Sequence, residues 1–290
     1  MAREAVVDGA VVDETAATVN VRDRGFRYGD AAFETMRVYA GSLFAWTPHA
    51  DRLEATCEAI GLDHGLDRET LLAHARRAIA ANDLREGAVR LSITRGVQPG
   101  ALAPTSPVEP TVVVTVRSLP RGGLDGEPVW DAPAAVRVVE TRKIPDACLP
   151  AAAKTHNYLN GVLARLELPD GADEALLRDL DGRVVEGTTS NLFLVRDGTL
   201  VTPPTSAPVL PGVTRAGVLA LAGALDVPVE RRAPRPAELS EADEAFLTNT
   251  SWEVRPIGAV DGAAVGGGPV TDRLRSAFAA AVERAFYAGE

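Results

Sequence analysis

Residues 151–166 read AAAKTHNYLNGVLARL, and one residue sets the stretch apart: Lys154. The chain holds 30 Lys and Arg together, of which only Lys143 and Lys154 are lysine. Arg stays charged in a protein, whereas a buried Lys amine can lose its proton. A neutral amine attacks carbonyls and forms Schiff bases. Lys154 is therefore a candidate nucleophile, with an ordinary salt-bridge lysine as the competing reading. Beyond it, Leu159, Val162, Leu163 and Leu166 recur at helical spacing on one face. On such a helix Tyr158, four residues after Lys154, would lie one turn away on the same side.

Composition narrows the rest. The 290 residues suit one large domain or two of ordinary size, and 46% hydrophobic content allows a substantial core. A net charge of −10 argues against nucleic acid as a partner. Cys57 and Cys148 give no disulfide framework, and with His49, His64, His74 and His156 they form no metal-ligand pattern. No apolar run is long enough to span a membrane, and MAREAVVDGA lacks the core of a signal peptide. A cytoplasmic protein is expected.

Residues 1–118 read as an α+β unit. Asp8-Gly9 suits a hairpin turn, and Arg37–Trp46 reads as two strands around Ala40-Gly41. Thr47 and Pro48 then mark a helix start, with Leu53, Cys57 and Ile60 on its apolar face and Arg52 beside it. A second helix covers 68–82, and strands follow at 88–96 and 111–119. Residues 119–135 are rich in Gly and Pro and read as a linker. Residues 136–290 form the second domain. It has a strand at 136–140, the Lys154 segment, hairpins at Asp181-Gly182 and Asp197-Gly198, and a helix entered through LPGVTR (210–215). A strand–turn–strand at 244–260 and a closing helix at 271–287 complete it.

An imine-forming lysine that served a pyridoxal cofactor would need company. The phosphate requires helix N-terminal amides, hydroxyls and an Arg. The ring nitrogen requires an acid and the phenolic oxygen a donor. Gly212-Val213-Thr214 stands at a helix start, TNTSW (248–252) is a polar turn, and Glu186 ends an apolar strand just before GTTSN. Each is also explained as a plain cap or turn.

In order and combination, however, these segments resemble the class IV, fold-type IV pyridoxal-phosphate aminotransferases. That family includes branched-chain and D-amino-acid aminotransferases, (R)-selective amine transaminases and aminodeoxychorismate lyases. DRGFRYGDAAFETMRVY, HADRLEATCEAIGL, KTHNYLNGVLARLE, VVEGTTSNLFLV, LPGVTRAGVLALA and FLTNTSWEVRPI carry the likeness over nearly the whole chain. It implies an α+β fold of two domains, a smaller N-terminal α/β sandwich-like one and a larger C-terminal pseudo-barrel. Pyridoxal 5′-phosphate would be bound between them, in a homodimer. It implies that Lys154 carries the cofactor and moves protons, that Glu186 binds the pyridine nitrogen, and that Tyr158 donates to the phenolic oxygen. Arg52, Val213, Thr214 and Thr250, with Asn249 adjacent, would hold the phosphate. Phe33, Tyr28, Arg90, Arg95, Ser251 and Trp252 would line the substrate pocket. Lys143 matches no family role.

The implied reaction is ping-pong transamination between an amino acid or small amine and a 2-keto acid. Branched-chain enzymes of the family carry a Tyr two residues before Arg90; here that position is Ala88. D-amino-acid enzymes carry a carboxylate-trapping Arg-x-His; here the loop has Gly100 and Leu102. Aminodeoxychorismate lyase, releasing p-aminobenzoate and pyruvate, is the alternative reading. A non-catalytic cofactor-binding protein is a further one.

Overall fold

In a computed structural model, residues 3–100 and 102–288 are described; Ala101, in the loop after the predicted 88–96 strand, lies outside them. The chain divides into two compact units. The first comprises 1–121 and 153–157, and the second 122–152 and 158–290. The division falls inside the Gly/Pro-rich 119–135 stretch. The short segment around Lys154, expected in the C-terminal domain, belongs to the first unit.

The first unit contains β1 (Glu4–Val7), β2 (Ala10–Asp13), α1 (Arg24–Tyr28), β3 (Ala31–Tyr39), β4 (Ser42–Leu43), α2 (Trp46–Ala59), α3 (Arg68–Ala81), β5 (Gly87–Thr94) and β6 (Thr111–Ser118). Its six-stranded sheet runs β2-β1-β6-β5-β3-β4, and every pairing is antiparallel. Alternation along β3 and β5 sends Met36, Val38, Val89, Leu91 and Ile93 into one core with Leu53 and Cys57 of α2 and Leu71, Ala75 and Ile79 of α3. Each large aliphatic side chain buried there contributes about 1.5–3 kcal/mol. The turn at Ala40-Gly41 forms with both residues at positive φ, 46° and 78°. The strand expected after it is only two residues long, because the helix begins already at Trp46. Thr47 and Pro48 thus lie in the first turn of α2, where a missing N–H costs nothing.

The second unit contains β7 (Ala134–Arg142), α4 (Leu159–Leu166), β8 (Glu174–Arg178), β9 (Val184–Gly187), β10 (Asn191–Arg196), β11 (Thr199–Thr202), α5 (Val213–Ala224), β12 (Val229–Arg231), α6 (Pro236–Ser240), β13 (Glu244–Asn249), β14 (Glu253–Val260), β15 (Ala263–Ala264) and α7 (Pro269–Phe286). The strand path is β12-β11-β10-β13-β14-β7-β8-β9, and β9 also pairs with β10. The strands from β10 through β9 therefore close into a ring. Val136, Leu176, Val184, Leu194, Leu247 and Ile257, one from each strand of that ring, share one apolar cluster. This is the pseudo-barrel expected from the sequence. Closure leaves β9 buried along its whole length, so its single carboxylate, Glu186, is buried with it.

Candidate active site

Lys154 does not lie on a helix. Its carbonyl accepts from Phe33 N at 3.0 Å and its amide donates to Thr56 Oγ1 at 3.0 Å. Thr155 bridges Ala32, and His156 N donates to Ala31 O at 3.1 Å. Residues 154–156 thus run as an extended rib along β3. The Lys154 amide is taken by a threonine side chain and the His156 amide by β3, and α4 starts only at Leu159, with Tyr158 as its half-buried N-cap residue. The Lys154 Nζ stands 4.2 Å from the centre of the Phe33 ring, and the Arg90 guanidinium 3.6 Å from the same centre. His156 meets the ring edge-on at 5.4 Å and its Nε2 lies 3.1 Å from Ser92 Oγ. Burial, reinforced by Arg90, pushes His156 down to about 4, so its ring is neutral at pH 7.

On the other face of β3, Glu34 is 1% exposed. Arg52 Nε and Nη2 donate to its two oxygens, each at 2.7 Å, and His49 Nδ1 donates to Oε2 at 2.7 Å. Burial raises the Glu34 carboxyl, but the Arg52 and His49 bonds outweigh it and hold it at about 2. Burial lowers His49, which acts here as a neutral donor. The triad fixes Arg52 in one orientation. Arg95 is instead fully engaged: it donates to Asp30 Oδ2 at 2.8 Å and to the carbonyls of Gly61 and Ile60 at 2.6 and 2.8 Å. Its role in this unit is to tie the end of α2 to the sheet. Tyr28, last in α1, lies against the guanidinium groups of Arg24 and Arg27.

In the second unit Glu186 is 5% exposed. Its Oε2 accepts from Leu210 N at 2.9 Å and Asn191 Nδ2 at 3.4 Å, and its Oε1 from Lys143 Nζ at 2.5 Å. Of the two lysines in the chain, Lys143 is thus held in an ion pair. Leu210 leads into α5, whose N-cap residue is Gly212 and whose first residues are Val213 and the buried Thr214. A Cβ at Gly212 would overlap Asn191 Oδ1, so only glycine allows this approach. Between β13 and β14, Asn249 Oδ1 accepts from Ser251 N at 2.9 Å and Trp252 N at 2.7 Å. That carboxamide shapes the turn on which Thr250 and Ser251 sit. Trp252 stacks near Arg255, whose guanidinium lies 5.0 Å from the ring centre.

One buried acid, Glu174, carried no signal in the sequence beyond being a Glu at a strand start. The hydroxyls and amides of Thr188 and Thr189 and the Ser190 hydroxyl all converge on it, with Arg165 and the Ala175 amide. The small polar residues after Glu186 therefore serve Glu174. Cys57 is a core residue whose thiol burial pushes up to about 12, which removes it as a nucleophile. Among the described residues no group of three or more His, Cys, Asp or Glu could hold a metal. No helix among them is long and apolar enough to cross a membrane.

The donor sets fit a phosphorylated pyridine. The first amides of α5 have no side-chain cap, which leaves them open to an anion. Glu186 has three donors, two on Oε2 and one on Oε1, which leaves Oε1 the less occupied oxygen.

The chain's similarity to known proteins agrees. The amino-transferase class IV family profile matches residues 31–260. A putative branched-chain-amino-acid aminotransferase of Methanocaldococcus jannaschii is 36% identical over 276 residues, 94% of each chain. The branched-chain aminotransferase of the thermophilic archaeon Thermoproteus uzoniensis, solved with norvaline, superposes with a TM-score of 0.88 at 29% identity, covering 99% of this chain and 97% of that one. The 4-amino-4-deoxychorismate lyase of Pseudomonas aeruginosa gives a TM-score of 0.81 at 34% identity, covering 94% and 97%. The chain belongs to the class IV aminotransferases, which are pyridoxal-phosphate enzymes.

Proposed function

We propose that this transaminase moves the amino group of a branched-chain L-amino acid to a 2-keto acid, with Lys154 as its catalytic lysine. The observation that carries the reading is the Phe33 ring with Lys154 Nζ at 4.2 Å and Arg90 at 3.6 Å. An amine nitrogen, an apolar plate and a cation in one cluster suit a substrate with an amino group, an apolar side chain and a carboxylate. Arg90 would take the carboxylate.

Pyridoxal phosphate, when bound, supplies an electron sink that acidifies the substrate Cα–H. Lys154 Nζ anchors the cofactor between turnovers and moves the proton at Cα while substrate is bound. Glu186 Oε1 accepts from the pyridine nitrogen and Tyr158 donates to the phenolic oxygen. For the phosphate the first unit offers Arg52, pre-set by Glu34, and the second offers Val213 and Thr214 of α5 and Thr250 of the β13–β14 turn. Ser251 and Trp252 line the substrate pocket on the turn whose shape Asn249 holds. Tyr28 completes the pocket, and Arg95 supports it from within the sheet.

Leu159, Val162, Leu163 and Leu166 support a homodimer. They form an apolar stripe on α4, and all are exposed, at 68, 51, 49 and 76%. The unpaired, exposed Cys148 suits a reducing cytoplasm.

The test is a half-reaction panel on the purified yellow protein. L-Leucine should bleach the cofactor band with release of the keto acid, and Lys154→Ala should lack the band while Lys143→Ala keeps it. Turnover of D-alanine or (R)-1-phenylethylamine in its place would move the substrate class. The similarity to the lyase motivates one more arm: p-aminobenzoate and pyruvate appearing from aminodeoxychorismate, with no half-reaction, would replace transamination by lysis.

A further inference from the structure

Lys143 has no part in the roles above, yet it is one of only two lysines and donates to the acid assigned to the ring nitrogen. We infer that Lys143 is a positioning residue for the cofactor's ring nitrogen: its ammonium fixes Glu186 Oε1 in the one orientation that leaves an acceptor site there for the pyridine N–H. This rests on the proposed role of Glu186.

Leu210 N and Asn191 Nδ2 both donate to Oε2, one for each of its lone pairs. Oε1 has a single donor, Lys143 Nζ, at 2.5 Å. Oε1, the less occupied oxygen, is the better acceptor for a further N–H, beside Lys143. Without Lys143, Oε1 would have no partner in a buried setting, and the carboxylate could turn about its Oε2 bonds. The ammonium is 20% exposed and the carboxylate 6%, so the attraction is little screened. Lys143 directly follows β7, its amide donating to Arg178 O at 2.9 Å. Its backbone is therefore anchored to the same sheet that carries Glu186, and the pair is built on rigid elements. A charge-assisted bond also costs more to remove than a neutral one, so its loss should be readable in affinity.

The experiment measures binding of pyridoxal phosphate to cofactor-free protein by absorbance titration, with turnover not required. Lys143→Met should raise the Kd about tenfold, whereas Lys143→Arg, which keeps charge and donor, should stay within about threefold of wild type. Melting of the cofactor-free proteins shows whether each variant is folded; should Lys143→Met not fold, Lys143→Gln takes its place with the same expectation. In a Glu186→Gln background, removing Lys143 should add less than about twofold, because the residue it positions is already altered. A Kd for Lys143→Met within twofold of wild type, or full additivity with Glu186→Gln, overturns the inference. If Glu186→Gln alone leaves the Kd and the band unchanged, it is the role of Glu186 that fails, and Lys143 falls with it.

Discussion

Glu174 opens β8 and Glu186 lies on β9, the strand paired with it, yet the two carboxylates are served in opposite ways. Both are buried, at 0 and 5% exposure. Glu174 accepts seven donors, four on Oε1 and three on Oε2. Glu186 accepts three. A saturated carboxylate can only hold its surroundings together; an under-filled one can still receive a ligand. In the first unit Glu34 has the same count as Glu186: Arg52 spans both of its oxygens and His49 adds a third bond. The number of donors thus sets Glu174 apart from Glu186, which burial does not.

The comparison breaks first at Glu174. Glu174→Ala would strand the buried Ser190 hydroxyl and release Thr188, Thr189 and Arg165, and should cost on the order of 4 kcal/mol in a denaturant melt. A loss under about 1 kcal/mol would mean that the Thr188–Ser190 turn stands without it.

Acid should expose Glu34 next. Its folded pKa, about 2, lies below its ordinary 4.5, so its stabilisation is full above pH 4.5 and fades as pH falls towards 2. His156, neutral in the fold with a pKa of about 4 against an ordinary 6.5, is protonated earlier in the unfolded chain. Stability should therefore decline from pH 6.5 to 4 by roughly 2–3 kcal/mol on its account, and more steeply below 4.5. Urea melts across pH 4–7 should show the first slope flattened in His156→Gln.

Glu186→Gln sharpens the contrast from the other side. Its melt should move by less than about 1 kcal/mol, since an amide keeps the shape and several bonds. Its kcat/KM should fall on the order of a hundredfold, which stopped-flow half-reactions would read. Gly212→Ala should act on the same acid indirectly. The added methyl would drive Asn191 off Leu210 and Glu186, and cofactor affinity should drop about tenfold with the fold intact. The smallest effect on folding belongs to α4: Leu159→Ser with Leu166→Ser should change monomer stability by under about 0.5 kcal/mol. Analytical ultracentrifugation should nonetheless show weaker self-association.

Much of this was legible beforehand. Lys154 stood out because lysine is so rare here, and the Asp-Gly turns at 8–9, 181–182 and 197–198 announced their hairpins, with Gly9, Gly182 and Gly198 all at positive φ. LPGVTR announced a helix N-terminus through its glycine, and the alternating strands announced their faces. Such features depend on backbone preference and spacing, which are local. Other features were not legible. Lys154 leads into a helix, as its sequence suggests, but stands outside it, because β3 and Thr56 supply partners for its backbone from far along the chain. The stripe 159–166 shares one helical face, and that face is exposed, because amphipathicity gives a face without saying what covers it. Arg90 and Arg95 look alike in the sequence, and only the fold gives one to an aromatic ring and the other to Asp30 and two carbonyls. Glu174, Glu186 and Lys143 show the same limit. Residue type and order determined that this chain would carry a lysine, an acid and phosphate-type turns. Which acid would be filled and which left open was decided by strand closure, since hydrogen-bond occupancy is a property of side chains brought together in space.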